Sequence, residues 1–80
     1  METRIALIGI IVDNPDSVEK VNATLHDYAQ AIIGRMGIPY REKSMNIISV
    51  ALDADNNTIS SLAGRLGMIP GVHAKTLYSK

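Results

Sequence analysis

Ile5 to Val12 is apolar on both of its alternating faces, with Ile5, Leu7 and Ile11 on one and Ala6, Ile8, Ile10 and Val12 on the other. Such a β-branched run reads as a strand covered on both sides. Met45 to Leu52 repeats the pattern, setting Asn46, Ile48, Val50 and Leu52 against Met45, Ile47, Ser49 and Ala51. Two strands that are apolar on both faces belong in the middle of a sheet. The remainder of an 80-residue chain must supply its edges and its cover.

The segments around these strands carry helix and turn signals. Asn14 offers an N-cap, Pro15 a first helical position and Asp16 an acidic first turn, and Val18, Val21, Leu25, Tyr28 and Ile32 follow at helical spacing. This predicts a helix over Pro15 to Ala31. The next segment, Ile33 to Pro39, has two glycines and a proline, which weaken a strand interior and suit an edge. Tyr40 to Ser44 is a polar connection. Beyond the third strand, Asp53 to Asn57 is a second capping region, Ile59, Leu62, Ala63 and Leu66 fall on one helical face, and Gly67 takes the C′ position. Pro70-Gly71 is a turn, and Val72 to Tyr78 alternates as a fourth strand.

The order βαββαβ is the ferredoxin-like split motif of an α+β chain, here a single domain over residues 1–80. Right-handed crossovers put strands one and three in the centre and both helices on one face. No element remains to cover the other face, which carries several Ile, Leu or Val side chains. An apolar face of this kind marks an interaction surface. A chain this short hides only about 60% of the surface its unfolded form exposes, so self-association would add stability that a lone core lacks. A homo-oligomer, dimer or tetramer, is expected.

Composition removes several classes of function. With no Cys there are no disulfides, thiolate metal sites or CxxC redox chemistry, and a reducing compartment, the cytoplasm by default, is expected. Eight basic residues balance eight acidic ones, so no overall field draws the chain to nucleic acid or to an anionic membrane. The apolar start is interrupted by Gly9, ends in Asp13-Asn14-Pro15, and is far shorter than the roughly 20 residues of a spanning helix. Neither a signal peptide nor a membrane span is expected.

The least generic stretch is Gly34-Arg35-Met36-Gly37-Ile38-Pro39-Tyr40-Arg41. Gly34 and Gly37 would let a ligand or a partner backbone approach, Met36 lies between them, and Arg35 and Arg41 supply forks for a carboxylate or phosphate. The same residues also suit a bulged edge strand whose charges block sheet-to-sheet aggregation. Asn14, in the loop after the first strand, is a helix cap that can also hold a ligand ammonium group. Its neighbours Asp13 and Asp16 disfavour phosphate there.

His26 and His73 are the only imidazoles, and neither has a His partner at helical spacing. Surface or interface positions are expected for both, with no metal site within one chain. No GxSxG or P-loop is present, and no serine stands in a sequence relation that singles out a histidine. An enzyme is not expected. Acyl-phosphate hydrolases of this fold share size and topology, but their Gly-rich, Arg-bearing phosphate loop is replaced here by an acidic one with Pro15. An RNA-recognition module needs base-stacking aromatics on the central strands, which have none.

Three stretches, Arg4-Ile5-Ala6-Leu7-Ile8-Gly9-Ile10, Ile32 to Arg41, and Leu66-Gly67-Met68-Ile69-Pro70-Gly71-Val72, are similar to a family of stand-alone ACT-like proteins named as regulators of the iron-only hydrogenase system. The resemblance covers essentially the whole chain. It implies a ferredoxin-like fold related to ACT regulatory domains and to the C-terminal domain of the nickel-responsive repressor, which oligomerise and bind effectors at or near subunit interfaces. His26-Asp27-Tyr28 and Ile32-Ile33 resemble a helix of that repressor. Its metal-ligating positions are matched here by Arg35 to Ile38 and by Met45 and Asn46, so nickel ligation is not implied. No length is left for the repressor's DNA-binding segment, and any effect on transcription is expected to run through a protein partner.

The leading expectation is a regulatory oligomer that senses a small ligand, of unknown identity, or docks a partner. Gly34, Arg35, Met36, Gly37, Arg41 and Asn14 are the candidate ligand-binding or interface residues. A scaffolding oligomer without an effector is the alternative, and a small hydrolase ranks last.

Overall fold

The computed structural model describes residues 2–79, and in it the first apolar run is β1 (Arg4–Val12), an inner strand of a four-stranded antiparallel sheet. β2 (Ile32–Tyr40), β3 (Met45–Ala54) and β4 (Val72–Tyr78) complete the sheet in the order β2-β3-β1-β4. β1 pairs with β3 from Arg4 opposite Ala54 to Val12 opposite Asn46, and with β4 from Ala6 opposite Tyr78 to Val12 opposite Val72. The two doubly apolar strands are therefore central, and the Gly/Pro-bearing and mixed strands are the edges. This is the ferredoxin-like fold.

α1 (Val18–Asp27) links β1 to β2 and α2 (Asn56–Gly67) links β3 to β4. Both lie on one face. Alternate residues of the central strands, Ala6, Ile8, Ile10 and Val12 on β1 and Ile48, Val50 and Leu52 on β3, are buried against Val21 and Leu25 of α1 and Ile59, Leu62 and Leu66 of α2. Each large aliphatic side chain hidden this way contributes about 1.5–3 kcal/mol. No helix among the described residues is long and apolar enough to cross a membrane.

Both helices differ at their boundaries from the sequence expectation. The stretch from Pro15 to Ala31 is not one helix: a 3₁₀ turn at Pro15–Ser17 precedes α1, and a second at Ala29–Ala31 follows it. Ile32 keeps the helical spacing of Val18, Val21, Leu25 and Tyr28, but it pairs with Leu52 at the start of β2. Sheet pairing overrides the helical pattern, and Ile33 is absorbed in a register shift between Ile32 and Gly34. Gly67 does not act as C′. It is the last residue of α2, and the chain continues through Met68 in right-handed backbone. The left-handed glycine of this connection is Gly71, at φ +74°.

Gly71 closes a tightly tied corner. The Asp13 amide donates to the Gly71 carbonyl at 2.8 Å, and the buried Ser17 hydroxyl donates to the Pro70 carbonyl at 2.6 Å. His73 Nε2 meets Asp13 Oδ2 at 2.9 Å. Asn14 caps the 3₁₀ turn, its Oδ1 accepting from the Asp16 amide at 3.0 Å.

The face away from the helices has no cover. It presents Ile5, Leu7 and Ile11 from β1, Ile47 from β3, Met36 and Ile38 from β2, and Leu77 from β4, all exposed.

Candidate functional site

The alternation of β2 divides the least generic stretch between the two faces of the sheet. Gly34, Met36 and Ile38 stand opposite Ala51, Ser49 and Ile47 on the open face, whereas Arg35 and Gly37 stand opposite Val50 and Ile48 on the helix side. Neither glycine is forced by backbone conformation. A Cβ at Gly34 would meet nothing within 4 Å, and one at Gly37 would only touch the Ile48 side chain at 4.0 Å.

On the helix side, β2 projects beyond the cover of α1. The α1 helix stops at Asp27, and the 3₁₀ turn through Ala31 returns the chain alongside it, leaving a groove of about 250 Å³ between α1 and β2. Leu25, Ala29 and Ile32 line it with apolar surface, and Asn22, His26 and Arg35 supply its polar groups. Arg35 is held in place by Asn22, whose Oδ1 accepts from Arg35 Nη2 at 3.0 Å. One arm of the guanidinium is thereby fixed, and the fork can still receive a carboxylate or phosphate in two-point geometry.

His26 and Ala29 also line a second depression of about 440 Å³, with Asp27, Tyr28 and Thr58 among its walls. Here the two helices are joined by polar contacts. The Tyr28 hydroxyl and Ser61 Oγ lie 2.8 Å apart, and Arg65 pairs with Asp27 Oδ2 at 3.0 Å while its guanidinium lies over the Tyr28 ring, 5.4 Å from the centroid. The Ser61 hydroxyl, and after it the Arg65 guanidinium, favour the phenolate and hold the Tyr28 pKa below its ordinary value of 10.0.

The other candidates lie elsewhere. Arg41 sits in the 3₁₀ turn Arg41–Lys43 at the end of the sheet, beside a shallow groove shared with Pro15, Pro39 and Asn46. Asn14 belongs to the same end, its side chain engaged in capping. The six candidate residues thus fall into three places: Arg35 and Gly37 toward the helices, Gly34 and Met36 on the open face, Arg41 and Asn14 at the sheet end. His26 is exposed on the helix layer and His73 on the opposite face. Among the described residues no three His, Asp or Glu side chains gather to hold a metal ion. Asn22 is the residue that sequence reasoning missed. It is an exposed polar position of a helix, and its role follows only from the packing of α1 beside β2.

A model of the family described as "TM1266-like: Iron-only hydrogenase system regulator, putative" matches residues 4–76. Among solved structures, the uncharacterized protein TM1266 from Thermotoga maritima is similar at a TM-score of 0.94 and 41% identity, over 99% of this chain and 100% of that one. The C-terminal domain of the MgtC protein from Mycobacterium tuberculosis is similar at a TM-score of 0.76 and 14% identity, over 95% of this chain and 87% of that one. A formyltetrahydrofolate deformylase from Pseudomonas putida KT2440 gives 0.65 and 10% identity, over 91% of this chain and 28% of its own. The last two share the fold alone. No curated protein matches the chain.

Proposed function

The chain belongs to the TM1266-like family of iron-only hydrogenase system regulators, and from that membership we propose that it is a regulatory protein sensing a small anionic ligand in the groove between α1 and β2. The observation that carries this reading is the Arg35 guanidinium, anchored by Asn22 at 3.0 Å beside an apolar floor. A small ligand with a carboxylate or phosphate and a short apolar body has complementary chemistry.

Regulation then follows by linkage. A ligand that bridges α1 and β2 favours whichever arrangement of those elements binds it better, and a protein partner reads the difference. Any effect on transcription runs through that partner.

The test is thermal unfolding of the purified protein against a panel of mono- and dicarboxylates and inorganic phosphate, followed by calorimetry on the hits. At least one anion is expected to raise the midpoint of the wild type, and Arg35→Ala should weaken it tenfold or more without changing the unliganded midpoint. Arg41→Ala, at the far end of the strand, should leave affinity within about twofold. The reading fails if no anion binds, or if Arg35→Ala binds as the wild type does.

A further inference from the structure

We infer that the outer edge of β2 is a docking edge for the C-terminal segment of another protein, which pairs with it as a fifth strand and sets its carboxylate on Arg35. The inference rests on the groove reading above and names the source of the anion bound there.

The strand order leaves β2 with a neighbour on one side only. Which of its backbone groups are free follows from register. The Ser79 amide donates to the Ile5 carbonyl at 2.9 Å, so Ile5 and every second residue after it on β1 turn their N–H and C=O toward β4. The residues between them serve β3, and the same alternation carried through β3 gives Gly34, Met36 and Ile38 of β2 to the ladder. Arg35, Gly37 and Pro39 face outward. Pro39 fits this side, because a place in the ladder needs an N–H that proline lacks. Arg35 and Gly37 each offer a donor and an acceptor, and Pro39 an acceptor alone.

Natural sheet edges are blunted by proline, bulges or cover. Here Pro39 ends the open stretch on one side, and the register shift between Ile32 and Gly34 ends it on the other. Between them the strand from Arg35 to Pro39, about 17 Å long, is exposed. The opposite edge is different: Ala74 and Tyr78 of β4 pack against the core, and α2 lies against that strand.

The groove decides what the fifth strand must be. Partner residues opposite Arg35 and Gly37 point their side chains to the same face as those two, toward α1. Gly37 has no side chain, so the residue across from it finds open space. The residue across from Arg35 enters the groove of about 250 Å³ over Leu25, Ala29 and Ile32, which calls for an apolar side chain. A segment antiparallel to β2 runs from Pro39 toward Arg35 and stops where the open stretch stops. Its terminal carboxylate then lies beside the guanidinium that Asn22 Oδ1 holds at 3.0 Å, where a charge-assisted two-point contact forms. Backbone bonds supply affinity, and the apolar last residue with its carboxylate supplies specificity.

The test uses acetylated pentapeptides of alternating valine and threonine that end in leucine, valine or phenylalanine. Each is made as the free acid, as the C-terminal amide, and as two free acids N-methylated on one or the other alternate set of backbone amides; acetate is the bare anion. At least one free acid is expected to bind tenfold or more tighter than acetate by calorimetry. Its amide should lose tenfold or more, and so should one of the two N-methylated sets, the one facing β2. Arg35→Ala should abolish the difference between acid and amide. In hydrogen exchange, the amides at Arg35 and Gly37 should become protected in the complex, whereas those of Met36 and Ile38 are protected already.

Acetate binding with no gain from any peptide, or peptide binding that both methylated sets tolerate, overturns the inference and leaves the groove to a free small anion. Peptide binding without protection at Arg35 and Gly37 overturns it as well. Protection of those two amides in the unliganded protein, rising with its concentration, gives the edge to a second copy and also overturns it. If neither the peptides nor any small anion binds, the groove reading falls together with this one.

Discussion

Gly71 is held where no other residue fits. At φ +74°, a Cβ there would stand 2.6 Å from the Asn14 Cβ and 2.8 Å from Asp13 Oδ1, so both backbone strain and a collision with the β1 exit loop oppose any side chain. Gly71→Ala is expected to destabilise the chain by about 1–3 kcal/mol, read as a lower urea midpoint at unchanged slope. Gly9 is the opposite case, an ordinary extended position with free space around it. The Pro70-Gly71 pair announces its turn in the sequence, because a left-handed position needs glycine. Gly67 announces a helix end that does not occur there, since a glycine at a helix terminus signals its possible conformation and not the one adopted.

Among the elements, α1 and α2 are joined by the contacts of Tyr28 with Ser61 and Arg65. The depressed Tyr28 pKa makes this junction pH dependent, with a definite sign. A folded value below the unfolded one means that the native state binds the proton less tightly, so the extra stability is present above the unfolded value of about 10 and lost as the pH falls through the folded one. At neutral pH it contributes nothing. Absorbance at 295 nm should show Tyr28 ionising below its ordinary value of 10.0, and Ser61→Ala should move that step upward. The junction was not legible in the sequence, where Tyr28 reads as one more apolar turn of a helix. The same period placed Ile32 on that helix, although its β-branched pair with Ile33 already favoured a strand. By contrast, Asn14, Pro15 and the doubly apolar runs speak through local chemistry, and they mark the true elements.

For the whole molecule, the decisive fact is a sheet covered on one side only. That asymmetry was legible because βαββαβ connectivity spends both helices on one face, and because Ile5, Leu7 and Ile11 share the other. The candidate site was legible only in part. Arg35 stood out by its setting, but its partner Asn22 is thirteen positions away across an element boundary. Arg41, six positions on, shares its chemistry and not its place.

The strand order also dictates a timetable. Only β2 and β3 are both neighbours in the sheet and joined by a short connection, the turn at Arg41–Lys43 and Ser44. β1 must wait for partners that are synthesised long after it, pairing Arg4 with Ala54 and Ala6 with Tyr78. Closing such wide loops costs entropy before any contact repays it, and slows assembly. Refolding is therefore expected on a millisecond or slower scale, with the β2–β3 hairpin structured early and β4 docking late. Stopped-flow measurements on Val50→Ala and Ala74→Gly would read this directly: the first should slow folding, and the second should mainly speed unfolding.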